Sequence, residues 1–140
     1  MIFYDQLIPH DPDNGKYGDC FRAVVATLLQ EPIEEVPHFM ENNPSTEDFV
    51  KRSVNFFFSK GFLFFNLNTF NIQEFKKNNF IDYPIYHEIC DVSPRFPSEY
   101  HSVVGLDGEV FYDPHPSKMG LPTITENRTF GFLIKLSGAL

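Results

Sequence analysis

The sequence predicts a single α+β domain over residues 1–140. Helical patterns occupy the first half of the chain and strand patterns most of its last third, and this segregation is typical of the α+β class. The pair Asp107-Gly108 between two strand patterns indicates a tight hairpin, so the neighbouring strands are expected to be antiparallel. No repeat, linker or low-complexity tract divides the sequence.

The N-terminal part is predicted to be a loop followed by a helix. Prolines and glycines interrupt residues 1–19, which favours a loop. Asp19 suits the N-cap position of a helix that runs from Cys20 to about Gln30 and stops before Pro32. Apolar residues recur along this segment at helical spacing, so one face of the helix is expected to be buried.

The middle of the chain is predicted to add further helices and strands. Ser45 fits a helix-capping pattern, and apolar residues at helical spacing continue to Lys60, after which Gly61 suits the end of the helix. The elements expected next are a buried strand over 62–67, a short helix over 72–77 and a strand over 84–90.

The last third is predicted to form the antiparallel sheet. Its strands are expected over 100–106, 109–112 and 129–136. We expect the helix that begins at Cys20 to pack on this C-terminal sheet and to leave a cleft between the two.

The composition favours a well-filled core and excludes one class of partner. The chain contains 17 Phe, 6 Tyr and no Trp, and so many phenylalanines are typical of a core, with some lining an apolar cleft. The net charge is −8 and no basic cluster is longer than Lys76-Lys77, so nucleic acid is not an expected partner.

The cysteine content and the N-terminus indicate a reducing compartment. Cys20 and Cys90 are too few for a disulfide scaffold, and the lack of a C-x-x-C motif argues against a structural zinc site. The first residues lack the features of a signal peptide, and no segment has the ~18–20 apolar residues of a membrane span. We therefore expect a cytoplasmic protein without a membrane partner, in which Cys90 is a buried, small apolar residue.

Three residues far apart in the sequence suggest cysteine chemistry. Cys20 stands in the first turn of a helix, where unpaired N–H groups and the helix dipole favour a thiolate. His101 and Asp113 lie on the two strands of the predicted hairpin. An unbulged register sets Ser102 opposite Asp113 and Val103 opposite the preceding tyrosine, with His101 diagonal to Asp113 or, after a one-residue bulge, directly opposite it.

Several motifs resemble those of compact papain-like cysteine peptidases, the group that includes bacteriocin-leader peptidases and their phage and bacterial relatives. They are Gly18-Asp19-Cys20 with its helix, residues 34–39 (Glu-Glu-Val-Pro-His-Phe), His101 to Gly105 with the Asp-Gly turn, and Tyr112 to Ser117 (Tyr-Asp-Pro-His-Pro-Ser). The resemblance covers both ends of the chain and leaves roughly residues 40–98 unmatched.

The resemblance implies a papain-like fold and hydrolysis of an amide or peptide bond without a cofactor. Cys20 would be the nucleophile, His101 the base and Asp113 the residue that orients His101. Asn14, six residues before Cys20, would donate to the oxyanion, with Gln6 as a less favoured substitute. A peptide or protein is the expected substrate, and a phage-encoded member would act in the host cytoplasm.

Other interpretations of these residues remain open. His115 either lines the cleft and binds substrate or shapes its Pro-flanked loop, and together with His101 and Asp113 it forms a conceivable but unfavoured metal site. The carboxylate of Asp19 beside Cys20 opposes thiolate formation. Two alternative functions use the same residues: a deamidase or transglutaminase-like acyl transfer, and a non-enzymatic phage-type interaction protein that keeps the fold.

Overall fold

The structure, a computed structural model, describes residues 1–137 and has the α+β class; residues 138–140 of the predicted domain lie outside the described part. The α-helices are Cys20–Leu29 (α1), Thr46–Ser59 (α2) and Ile72–Asn78 (α3). The β-strands are Phe62–Leu67 (β1), Tyr86–Val92 (β2), Tyr100–Leu106 (β3), Glu109–Tyr112 (β4) and Thr129–Lys135 (β5). Short 3₁₀ turns cover Pro12–Asn14 and Ile33–Glu35. Within residues 1–137, no helix is long and apolar enough to cross a membrane.

Local signals explain where the helices begin and end. Helix α1 stops where Gln30 adopts a left-handed φ of 54° and its N–H reaches the carbonyls of the last turn. The hydroxyl of Ser45 accepts a hydrogen bond of 3.1 Å from the N–H of Asp48 and so caps α2, as predicted. Gly61, with φ of +82°, follows α2 and turns the chain into β1.

The five strands form one antiparallel sheet in the order β1-β5-β2-β3-β4. Strand β1 was expected to be buried, and this prediction is wrong, because β1 is an edge strand paired with β5 alone. Alternate side chains of a strand point to opposite faces, so Phe62 and Phe64 are partly covered whereas Leu63, Phe65 and Leu67 are exposed.

The hairpin of β3 and β4 turns at Asp107-Gly108, where both residues have positive φ, as a two-residue hairpin turn requires. The ladder then shifts by one residue, because Gly105 faces Val110 but Val104 faces Tyr112, which leaves Phe111 as a bulge. The unbulged register is therefore wrong, and so is the bulged alternative that set His101 directly opposite Asp113. Continuing the observed pairing by one residue places Asp113 beside Val103, two positions from His101 and on the same face as His101.

Each face of the sheet carries a core cluster. Helices α1 and α2 and residues 33–39 form the larger core cluster, which packs against Phe64 and Leu133. On the other face Ile89, Val103 and Leu121 form a second cluster with Phe130. Helix α1 therefore holds its first residue, Cys20, over the first face of the sheet.

Candidate active site

Cys20 lies at the wall of a cavity of about 650 Å³ between the start of α1 and the sheet. The side chain is partly buried, which leaves its sulfur accessible from the cavity. Other walls come from Phe64 on β1, Glu88 and Cys90 on β2, and Ser102 on β3. The volume lies within the range of small-ligand sites.

His101 and Asp113 form a buried hydrogen-bonded pair at the same cavity. The Nε2 of His101 lies 2.7 Å from Oδ1 of Asp113, and the two side chains are 5% and 3% exposed. Cys20 lies close enough to His101 for its side chain to raise the pKa of the imidazole. Because Asp113 occupies Nε2, Nδ1 is the ring nitrogen left for Cys20. The structure thus brings together Cys20, His101 and Asp113.

Backbone donors hold Asp113 in place. Its Oδ1 accepts a second hydrogen bond of 2.8 Å from the N–H of His115, and its Oδ2 accepts one of 2.8 Å from the N–H of Gly120. Burial works to raise the pKa of Asp113, but the hydrogen bond with His101 and these backbone bonds outweigh it and keep that pKa below its usual value. A carboxylate is therefore fixed beside the imidazole.

The surroundings of His101 favour its charged form. Burial alone lowers the pKa of the imidazole, whereas the hydrogen bonds with Asp113 and with the side chain of Cys20 raise it, and the net result is a pKa of about 9. His101 therefore holds its proton at neutral pH.

Asp19 stands at the N-cap position of α1, as predicted, but its carboxylate forms no capping hydrogen bond. Its Oδ1 instead accepts from the N–H of Ile8 at 2.8 Å and its Oδ2 from the N–H of Leu7 at 3.3 Å. Arg22 lies 3.5 Å from Oδ2 and offsets the buried charge. The carboxylate of Asp19 thus holds the N-terminal segment against the start of α1 by hydrogen bonds.

That segment brings Gln6 to the cavity. Its backbone N–H donates to the carbonyl of Pro114 at 3.0 Å, so Gln6 lies beside the loop that carries Asp113. The side-chain Nε2 donates to the carbonyl of Ile8 at 2.9 Å, and within residues 1–137 the buried Oε1 has no hydrogen-bond partner. Gln6 lines the same cavity as Cys20.

Asn14 is not brought to the other three predicted residues. It is exposed on the first 3₁₀ turn, where its Nδ2 donates to Oδ2 of Asp11 at 2.8 Å, and it does not line the cavity. A backbone bridge between Asp11 and Lys16 closes this turn and directs Asn14 toward solvent. Asn14 was favoured over Gln6 because it stands six residues before Cys20. Gln6 reaches the cavity because Asp19, thirteen positions later, anchors the N-terminal segment, and no local sequence pattern reveals that contact.

His115 lines the cavity next to the pair. Its ring stands edge-on to that of His101, with ring centroids 6.2 Å apart, and its Nδ1 lies 2.8 Å from Oγ of Ser117. Burial and the nearby Arg95 lower the pKa of His115. His115 therefore both shapes its loop and lines the cavity, with its neutral form favoured.

Cys90 also lines the cavity, where the sequence suggested a buried apolar residue. It faces Ser102 across the β2–β3 ladder. Burial and the neighbouring Glu88 raise the pKa of Cys90, so it stays a thiol. Within residues 1–137, no group of three or more His, Cys, Asp or Glu side chains is placed to hold a metal ion.

Comparisons of this chain with protein-family models, with curated proteins and with solved structures find no match.

Proposed function

We propose that this protein is a papain-like thiol hydrolase that cleaves an amide or peptide bond. The observation that carries the proposal is the position of His101, which is hydrogen-bonded to Asp113 and shares the cavity wall with Cys20, the side chain that raises its pKa. A helix that begins at the cysteine, and an antiparallel sheet that supplies the histidine and the aspartate in that chain order, also support a papain-like fold.

The reaction proceeds in two balanced steps. The thiolate of Cys20 attacks the carbonyl carbon, and His101 donates its Nδ1 proton to the leaving amine, which gives a thioester and a free amine. His101 then removes a proton from water, the hydroxide attacks the thioester, and the acid leaves as Cys20 is regenerated. Asp113 keeps the imidazole oriented through both steps.

Two donors are suited to the oxyanion that forms in each step. One is the backbone N–H of Cys20 in the first turn of α1, which no carboxylate caps. The other is Gln6, whose Nε2 carries a second N–H besides the one given to Ile8. Because Asn14 is exposed outside the cavity, we propose Gln6 in place of Asn14.

Replacement of Cys20 tests the nucleophile. Cys20→Ser should lower peptide hydrolysis by more than about a thousandfold and abolish labelling by iodoacetamide, because the attacking thiolate is lost. Hydrolysis is measured on a mixed peptide library by mass spectrometry, and labelling on the intact protein. Cys90→Ser is the matched control, and it should keep both signals because the thiol of Cys90 stays protonated.

The products also decide between this proposal and its alternatives. New amino termini support the hydrolase. Ammonia release from glutamine-containing peptides without chain cleavage would assign a deamidase, which uses the same three residues. A wild-type protein that consumes no peptide, and whose Cys20 reacts no faster than a free thiol, would contradict both enzymes and leave a binding protein.

A further inference from the structure

Glu88 is a buried carboxyl group that the proposed reaction does not use. It lies on the central strand β2, is 3% exposed and lines the same cavity as Cys20. The hydroxyl of Ser102 donates to its Oε2 at 2.8 Å. Among residues 1–137, no lysine, arginine or histidine forms an ion pair with this carboxyl group.

The other carboxyl oxygen, Oε1, lies beside Gly131 and the ring of Phe64. A Cβ added at Gly131, which faces Glu88 across the ladder, would come within 2.8 Å of Oε1 of Glu88 and 2.3 Å of Cζ of Phe64. The absence of a side chain at Gly131 therefore leaves room for the carboxyl group and the aromatic ring side by side.

A buried carboxylate without a cation is unfavourable, because its solvation is lost and no ion pair replaces it. Burial raises the pKa of Glu88 to about 7, and the hydrogen bond from Ser102 offsets only part of this effect. A positively charged group would therefore stabilise the ionised carboxyl group of Glu88, and the cavity gives such a group a route to it.

We propose that Glu88 is the anionic group of a subsite that binds a substrate side chain ending in a cation, such as lysine or arginine. The proposal rests on the proposed function, since it takes the cavity to be where substrate binds. The mixed polar and apolar lining of the cavity includes the aromatic rings of Phe21, Phe49 and Phe64. They suit the methylene groups of a long side chain, and their rings also attract a cation.

The charge of the whole chain agrees with such a substrate. The net charge is −8, so a basic peptide is attracted to this protein from a distance. Ion pairing at Glu88 then requires a side chain long enough to reach a carboxyl group that is only 3% exposed.

Peptide pairs that differ only by lysine or norleucine test the subsite. Wild-type protein should cleave the lysine peptide with a kcat/KM at least about tenfold higher than the norleucine peptide, and Glu88→Gln should bring the ratio of the two values to about one. Glutamine keeps the size of the side chain and an oxygen that accepts from Ser102. Equal wild-type rates for both peptides, or an equal loss of both in Glu88→Gln, would overturn the proposal.

The matched control is Glu109→Gln. Glu109 is exposed on β4 and does not line the cavity, so its replacement changes the net charge equally. It should keep the full preference for lysine. Loss of the preference in this variant would assign the effect to overall charge and would overturn the subsite.

A binding experiment separates this inference from the proposed hydrolysis. In ¹⁵N NMR at about pH 8, where the carboxyl group is ionised, n-butylammonium should shift the amides of β2 and β3 around Glu88 and should do so far less in Glu88→Gln. Neutral 1-butanol serves as the probe without charge. If no peptide is cleaved but the ammonium binds as described, the hydrolase fails and the cation subsite stands; if the ammonium shifts no resonance near Glu88, the subsite fails.

Discussion

At the scale of single residues, the protonation of His101 determines how the site works. Its pKa is raised to about 9 by Asp113 and Cys20 in spite of burial, so the folded protein holds this proton more tightly than an unfolded chain with a histidine pKa of about 6.5. The pair therefore stabilises the fold fully below about pH 6.5, and this contribution is lost as the pH rises through 9.

We expect an NMR titration of the His101 ring to show a midpoint near pH 9 in the wild-type protein. The midpoint should fall in Asp113→Asn and also in Cys20→Ala, because each variant removes one of the hydrogen bonds that raise the pKa. His87, whose pKa is lowered by burial and whose ring is bonded to Glu88 and Gly108, serves as an internal control whose midpoint should not respond. An unchanged His101 midpoint in both variants would contradict the coupling of the three side chains.

Gln6 and Asn14 offer a direct comparison of two oxyanion donors. We expect Gln6→Ala to lower kcat by about 10²–10³, the usual effect of removing one such donor. Asn14→Ala should have little effect, because Asn14 is exposed and bonded to Asp11. The two variants are compared by kcat on one peptide. A large loss in Asn14→Ala with none in Gln6→Ala would show that the sequence spacing was the better guide.

At the scale of elements, the attachment of the N-terminal segment to α1 depends on Asp19. Asp19→Ala should lower the free energy of unfolding by about 3 kcal/mol, because two backbone N–H groups and Arg22 lose a buried partner. Activity should also fall, since Gln6 is no longer held at the cavity. Urea denaturation and kcat are the measurements.

Asp13→Ala is the control for that experiment. Asp13 is exposed on the first 3₁₀ turn, so its replacement removes one negative charge without a buried contact. It should change the free energy of unfolding by less than about 0.5 kcal/mol. Equal effects of the two variants would mean that the charge of Asp19, and not its contacts, is what matters.

Most elements were predictable from the sequence because their boundaries depend on neighbouring residues. The cap at Ser45, the glycine after α2 and the Asp107-Gly108 turn each act over a few positions, and the observed elements start and end within about two residues of the predicted ones. The closeness of His101 and Asp113 was predictable for the same reason, since one hairpin carries both.

At the scale of the whole molecule, the features that were missed depend on contacts between distant segments. Strand β1 reaches the edge of the sheet by pairing with β5, some seventy positions later in the chain, and no local pattern indicates that choice. The same is true of Gln6, Glu88 and Cys90 at the cavity. The glutamate in the strand predicted over 84–90 was the available signal for a charged group there.

Contacts on both faces of the sheet hold the residues of the site in place. Phe21, next to Cys20, contacts the rings of Phe39, Phe49 and Phe64 at centroid distances of 5.4, 5.4 and 5.8 Å. These contacts fix the start of α1 over one face of the sheet. On the other face, the hydrogen bond from the N–H of Gly120 to Asp113 places the returning loop against the carboxylate.

The bulge at Phe111 has a consequence for how such a site can be recognised. Phe111 is an extra residue in β4 with no partner in β3. A hairpin that lacked it would still pair Val104 with Tyr112 and would still place Asp113 beside Val103. His101 and Asp113 are twelve positions apart here, and a spacing shorter by one would give the same geometry. Distant relatives would therefore need to keep the carboxylate on the same face of the hairpin, whatever the spacing. A motif with a fixed histidine-to-aspartate interval would miss chains that keep this face but differ in spacing.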